Sequence, residues 1–255
     1  MTIDKKLYVF DMDGTIYLGE HVFPFAVEYI KRLREQGRRV LFFTNNASKS
    51  PEYYFERLCR MGFGPRRDEI LTSGDVTVRF LKEKRPGKSV YLLGTKILKK
   101  SFSDAGIKLS RSADIVVSSF DTELTYKKLE RACTLIRNGA EYLCTHPDFN
   151  CPTEDGFIPD SGAIAAAITA STGVKPRFFG KPYADTAEMI FSYTGIGAKD
   201  ACIFGDRLYT DIALGKNSGM TAVLVLSGET KRSELASLAP EQTPDIVIES
   251  INELL

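Results

Sequence analysis

No stretch of the 255 residues approaches the roughly 18 consecutive apolar side chains that a membrane-spanning helix needs. The N-terminus is polar from Thr2 to Lys6, and we expect a protein that is not exported. Net charge is scarce too. At +1, the chain gives no global electrostatic case for nucleic acid or an anionic membrane surface. The five cysteines, Cys59, Cys133, Cys144, Cys151 and Cys202, are irregularly spaced and form no Cys-x-x-Cys pair, so they read as reduced thiols. Repeats and low-complexity tracts are missing as well. These absences lead us to expect a soluble, cytoplasmic protein with neither nucleic acid nor membrane as partner; whether it forms a homo-oligomer is left open.

What is present is a hydrophobic fraction of 43%, enough for one large or two modest domains with real cores. Apolar runs at Leu7–Phe10 and Val40–Phe43 flank an amphipathic stretch with Phe25, Tyr29, Ile30 and Leu33 on one face, stopped at Gly37. That is a β-α-β unit, the building block of a doubly wound parallel sheet. Ser50-Pro51 opens a second helix toward Met61. Near Gly74 the rhythm restarts, with strands expected around 90–93, 115–117 and 142–144, helices between them, and an alanine-rich helix over 163–170 capped by Ser161. From Phe178 the first pattern resumes, with strands near 203–204, 223–225 and 246–248. We therefore expect an α/β protein: a doubly wound, Rossmann-like parallel core from residues 1–77 and 178–255, interrupted by a smaller α/β module over 78–177.

The chemistry begins at Val9-Phe10-Asp11-Met12-Asp13-Gly14-Thr15. An apolar strand delivers two carboxylates and then a glycine, and open parallel sheets bind ligands beyond the carboxyl ends of their strands. Carboxylates this close repel one another, so the site needs a cation or a shared proton. Magnesium suits it, being hard, oxygen-seeking and usually held by one or two carboxylates plus a substrate phosphate.

Thr44-Asn45-Asn46 ends the next strand, offering a hydroxyl and a backbone N–H for phosphate oxygens, and the Asn46 amide for orienting a nucleophile. Lys181, in Gly180-Lys181-Pro182, is placed to neutralise both a nucleophilic carboxylate and a phosphate. Ile203-Phe204-Gly205-Asp206 repeats the strand-to-carboxylate pattern, making Asp206 a metal ligand. Asp211 follows as an acceptor that orients a water or Lys181.

These four stretches, in this order, resemble the four motifs of the haloacid dehalogenase superfamily. The resemblance implies that Asp11 is a nucleophile forming an aspartyl-phosphate. It implies that Asp13 protonates the leaving alcohol and later takes a proton from water. It implies too that Mg2+ is held by Asp11, Asp206 and the backbone carbonyl of Asp13. The position of the inserted module, with the stretch Asp148 to Gly156, resembles the NagD and p-nitrophenyl phosphatase subfamily, in which that module is a cap that selects the substrate. Many relatives have Asn-Pro-Asp in the cap loop where this chain has His146-Pro147-Asp148, so His146 and Asp148 become candidate substrate-binding residues, with a simply structural role for His146 left open. Zinc on His146, Cys144 and Cys151 fits no structural spacing. The expected activity is a magnesium-dependent hydrolysis of small-molecule phosphate esters. A phosphomutase shares all four motifs and remains open, as does a non-catalytic sugar-phosphate-binding regulator; a carbon–halogen hydrolase would have no use for the acid Asp13.

Overall fold

Continuous burial from Leu7 to Phe10 marks a strand with helices on both of its faces, and it stands in the interior of the larger sheet. The computed structural model describes residues 3–153 and 156–254. Contacts divide the chain into two compact units, one of Met1–Thr44, Pro51–Leu71 and Lys181–Leu255, the other of Asn45–Ser50 and Thr72–Gly180.

In chain order, the first unit opens with β1 (Leu7–Phe10), the short hairpin β2 (Tyr17–Leu18) and β3 (His21–Val22), α1 (Ala26–Glu35), β4 (Arg39–Thr44), α2 (Pro51–Arg60) and β5 (Ile70–Thr72). The second unit follows with α3 (Ser73–Lys84), β6 (Val90–Leu93), α4 (Lys96–Asp104), β7 (Ile115–Ser118), α5 (Tyr126–Arg137), β8 (Glu141–Cys144), β9 (Asn150–Thr153), β10 (Gly156–Pro159), α6 (Ser161–Thr172) and β11 (Arg177–Phe178). The first unit is then completed by α7 (Ala184–Thr194), β12 (Ala201–Gly205), α8 (Ala213–Ser218), β13 (Thr221–Val225) and β14 (Ile246–Ile248).

The six-stranded sheet runs β14-β13-β12-β1-β4-β5, with β1 parallel to both β4 and β12. Its two faces are separate cores, as the alternation along β13 shows: Val223 and Val225 join Phe10, Phe42, Tyr29 and Phe204 on one side, while Ala222 and Leu224 join Ile212 on the other. Phe10 and Phe204 stack with ring centroids 4.7 Å apart, and burying each such ring contributes about 1.5–3 kcal/mol. Phe10 and Phe204 are also direct partners in the ladder, so the ends of β1 and β12 lie level.

The second unit has its own four-stranded parallel sheet, β11-β8-β7-β6, packed on Ala132, Ile136, Ile164 and Ile168 of its helices. Helix α6 is capped by Asp160 and not by Ser161 as expected, because the Asp160 carboxylate accepts the Ser161 N–H at 2.5 Å and Ser161 is already helical. The strands β9 and β10 form an antiparallel hairpin that the sequence pattern did not reveal. Of the stretch from Asp148 to Gly156, Glu154 and Asp155 lie outside the described residues. All five cysteines are free thiols, and His21 is exposed. No helix among the described residues is long and apolar enough to cross a membrane.

Candidate active site

Three strand ends of the first unit supply the candidate groups. β1 hands over to Asp11, whose N–H donates to the Phe204 carbonyl at 2.9 Å and so extends the ladder by one residue. β12 hands over to Asp206, and β4 ends on the buried Thr44. Since β1 lies between β4 and β12, the three ends are neighbours at the carboxyl edge of the sheet, where such sheets bind ligands.

Lys181 is 2% exposed, and its Nζ lies 2.5 Å from Asp11 Oδ1 and 2.7 Å from Asp211 Oδ1. The same ammonium reaches the Phe43 carbonyl at 3.4 Å, which ties it to β4. Asp211 sits on the wide turn Leu208–Ile212, its Oδ2 accepting from Arg207 N and Thr210 Oγ1, each at 3.3 Å. A Cβ at Gly205 would overlap the Asp211 carboxylate, so that close approach requires glycine. Asp13 stands apart from this group, its Oδ2 receiving the Tyr17 hydroxyl at 3.4 Å.

Burial pushes Asp11 up to about 8, with the Asp211 and Asp206 charges adding to the rise and Lys181 opposing it. Burial likewise raises Asp206 to about 7, helped by Asp211. Asp13 is raised by burial against the pull of Arg57 and Arg207. Burial works against the Lys181 ammonium, yet Asp11 and Asp211 outweigh it and hold the lysine charged.

One ammonium does not balance three buried carboxylates. Ligand atoms of Asp11, Asp206 and Asp211 lie within 4.8 Å of one another. Asp206 Oδ2 accepts the Glu229 N–H at 2.7 Å, whereas its Oδ1 is buried and has no hydrogen-bond partner among the described residues. A Cβ at Gly14 or at Gly228 would overlap the Asp206 carboxylate, so the chain reserves room around it. Excess negative charge, an orphaned carboxylate oxygen and all-oxygen donors fit a hard divalent cation.

The other sequence-derived candidates belong to the second unit. Asn45 donates through its side-chain amide to both Asp148 oxygens, at 3.3 and 3.2 Å, and its backbone carbonyl accepts the Ser73 hydroxyl at 2.5 Å. The Asn46 amide oxygen accepts from Ser48 N at 3.0 Å and Ser48 Oγ at 2.7 Å. His146 is 0% exposed, with Nε2 2.8 Å from Asp160 Oδ1 and Nδ1 3.0 Å from Thr145 Oγ1. Asp148 is buried as well. Residues 146 and 148 are thus both buried and hydrogen-bonded within the second unit. Burial raises the Cys144 thiol, which packs 3.0 Å from Ser161 Oγ; among the described residues no cysteine joins a metal-ligating group.

Sequence reasoning missed Asp160, Ser73, Tyr17, Arg57 and the Ser227–Thr230 loop. Asp160 lies fourteen residues from the histidine that it holds, and no periodic signal links such partners. The loop after β13 holds Asp206 through a backbone N–H, which no side-chain motif reports.

Comparison with known proteins extends this picture. Residues 8–108 match a family described as haloacid dehalogenase-like hydrolases, and residues 178–254 match one described as HAD-like hydrolases. The chain is 37% identical over 225 residues to an acid sugar phosphatase of Staphylococcus aureus (strain MRSA252), covering 88% of this chain and 87% of the relative. It is 32% identical to the 5'-nucleotidase YutF of Bacillus subtilis (strain 168), covering 97% and 96%. The crystal structure of a 4-nitrophenylphosphatase from Thermotoga maritima superposes with a TM-score of 0.94 at 40% identity, covering 98% of this chain and 96% of that one.

Proposed function

The chain belongs to the haloacid dehalogenase-like hydrolases, and from that premise we propose that it hydrolyses small phosphomonoesters through an aspartyl-phosphate on Asp11. The observation that carries this reading is the charge arrangement around Asp11: a mostly buried carboxylate bonded to a buried lysine and flanked by Asp206 and Asp211. Such a site repels a phosphate dianion unless a further cation enters it. With that cation bound, it instead concentrates positive charge where phosphoryl transfer needs it.

In the first half-reaction an Asp11 carboxylate oxygen forms a bond to phosphorus while the bond from phosphorus to the leaving oxygen breaks. Asp13 passes its proton to that oxygen, so a neutral alcohol departs. Raising of Asp13 by burial favours the protonated form that this step uses. In the second half-reaction Asp13, now ionised, takes a proton from water as the water oxygen bonds to phosphorus and the Asp11 oxygen leaves. Orthophosphate and the original carboxylate result. Throughout, Lys181 opposes the protonation of Asp11 and fixes its orientation, and Thr44 is the hydroxyl donor for a phosphoryl oxygen. Asp211 fixes Lys181 from the other side.

Mg2+ is the cation that we assign, with Asp11, Asp206 and the backbone carbonyl of Asp13 as its protein ligands, and when bound it supplies charge neutralisation to nucleophile and phosphate. Relatives named for sugar phosphates, nucleotides and 4-nitrophenyl phosphate set the substrate panel. Phosphate release is measured on a hexose phosphate, a nucleoside 5'-monophosphate and 4-nitrophenyl phosphate, with Mg2+ and with EDTA. Release on at least one ester, abolished by EDTA and restored by Mg2+, is the expected result. Undiminished release in EDTA contradicts the metal assignment, and no release from any ester contradicts the activity.

A further inference from the structure

Asp13 has a support of its own in the first unit. Tyr17 is fully buried, its main chain accepts the Gly14 N–H at 2.8 Å, and its hydroxyl donates to Asp13 Oδ2 at 3.4 Å. Over the Tyr17 ring lies the Arg57 guanidinium, 4.6 Å from the ring centroid, in cation–π geometry. Arg57 also donates through Nη2 to the Gly19 carbonyl at 2.5 Å and pairs with Glu20 at 3.4 Å. One arginine of α2 thus grips the β2–β3 hairpin from its first strand through the turn. Its side chain is only 14% exposed, so these contacts are made largely out of water.

A carboxylic acid has two oxygens and one proton. An oxygen that accepts a hydrogen bond from a fixed donor is a poor place for that proton, which then resides on the other oxygen. We infer that Tyr17 and Arg57 are positioning residues for Asp13: Tyr17 Oη reserves Oδ2 as an acceptor so that Oδ1 carries the transferable proton, and Arg57 holds the Tyr17 ring in place. The inference rests on the reading of Asp13 as the general acid. A hydrogen bond of 3.4 Å in the ligand-free protein suits such a role, because catalytic hydrogen bonds often tighten only when substrate binds.

The readout is leaving-group dependence. Protonation matters for an alkyl ester, whose alkoxide is a poor leaving group, and hardly for 4-nitrophenyl phosphate, whose phenolate leaves unaided. Only the first half-reaction distinguishes them, since the water-activating step is common to every ester. The experiment is therefore a single-turnover measurement of leaving-group release with Mg2+ present, on a hexose phosphate and on 4-nitrophenyl phosphate. It compares wild type with Tyr17→Phe, Arg57→Met and Asp13→Asn, and melting temperatures are recorded in parallel.

Asp13→Asn should slow the alkyl ester about 100-fold or more and the aryl ester far less, the range for a lost general acid. Tyr17→Phe and Arg57→Met should each slow the alkyl ester about 10-fold, with the aryl ester within about 2-fold of wild type and KM little changed. If Asp13→Asn shows no leaving-group bias, the reading of Asp13 fails. If Asp13→Asn shows the bias while Tyr17→Phe shows none, or slows both esters equally, the positioning inference is overturned and the reading of Asp13 stands. Tyr17→Phe removes one oxygen from a ring that otherwise stays in place, so its result holds even where Arg57→Met disturbs the hairpin.

Discussion

Replacing Asp206 by asparagine should make the metal-free protein more stable. Burial pushes Asp206 from an ordinary 3.8 to about 7. Keeping the group ionised across that gap costs about 4 kcal/mol at roughly 1.4 kcal/mol per tenfold change in the proton equilibrium. Asparagine removes the charge and keeps an oxygen to accept the Glu229 N–H, but it leaves a buried amide N–H2 short of partners, a cost of about 1–3 kcal/mol. A net gain of about 2 kcal/mol is expected at pH 8, or roughly 5 °C in Tm for a chain of this size.

The sign with pH follows from linkage. A carboxyl raised in the folded state binds its proton more tightly there than in the unfolded chain. Its wild-type form is therefore most stable below the unfolded value and loses stability as pH rises toward the folded one. The window runs from about 4 to about 7 for Asp206, and Asp11 extends it toward 8. The ionisation cost falls to roughly 1.5 kcal/mol at pH 5, no more than the cost of the buried amide, so the advantage of Asp206→Asn should disappear between pH 8 and pH 5.

Mg2+ at about one hundred times its Kd should stabilise wild type by about 2.7 kcal/mol and the variant by far less. Thermal melts at both pH values, in EDTA and in Mg2+, contain all of these comparisons. A variant that melts below wild type in EDTA at pH 8, or that keeps the full magnesium shift, refutes the reasoning.

Two further outcomes follow from the same charges and contacts. Lys181→Met leaves three buried carboxylates without their ammonium, so it should destabilise the metal-free protein by about 3–5 kcal/mol and abolish phosphate release; melts in EDTA and a phosphate assay check both. Asp148→Ala removes the hydrogen bonds that the buried Asn45 amide donates to the Asp148 carboxylate and should cost about 1.5–3 kcal/mol of stability, the range for a bond to a charged group, without altering the ranking of esters by kcat/KM. A changed ranking with unchanged stability would mean that Asp148 touches substrate.

The strand ends were legible because fully buried parallel strands are unbroken apolar runs, and after Phe10, Phe43 and Gly205 those runs give way to the polar Asp11, Thr44 and Asp206. What escaped was set by partners distant in sequence or by backbone. His146 reads as a loop residue, and only the fold reveals that Asp160 and Thr145 occupy its two nitrogens. Asn45 follows Thr44 directly, yet it packs with the second unit because Asp148 and Ser73 hold it there. The β2–β3 hairpin has two residues per strand, too few for alternation to show. In β9–β10 the apolar Phe157 and Ile158 are adjacent and both exposed, which breaks the inside–outside rule that a pattern search depends on.

The central claim is that Asp11 carries the phosphoryl group. Its most direct test is to mix the protein with excess substrate and Mg2+, quench in acid, reduce with borohydride and read the peptide spanning Leu7–Gly14 by mass spectrometry. An acyl phosphate on Asp11 is reduced to homoserine at that position, and the same treatment of Asp11→Asn should leave the peptide unchanged and release no phosphate. Reduction at another carboxylate, or phosphate release from Asp11→Asn at near wild-type rate, would contradict the account.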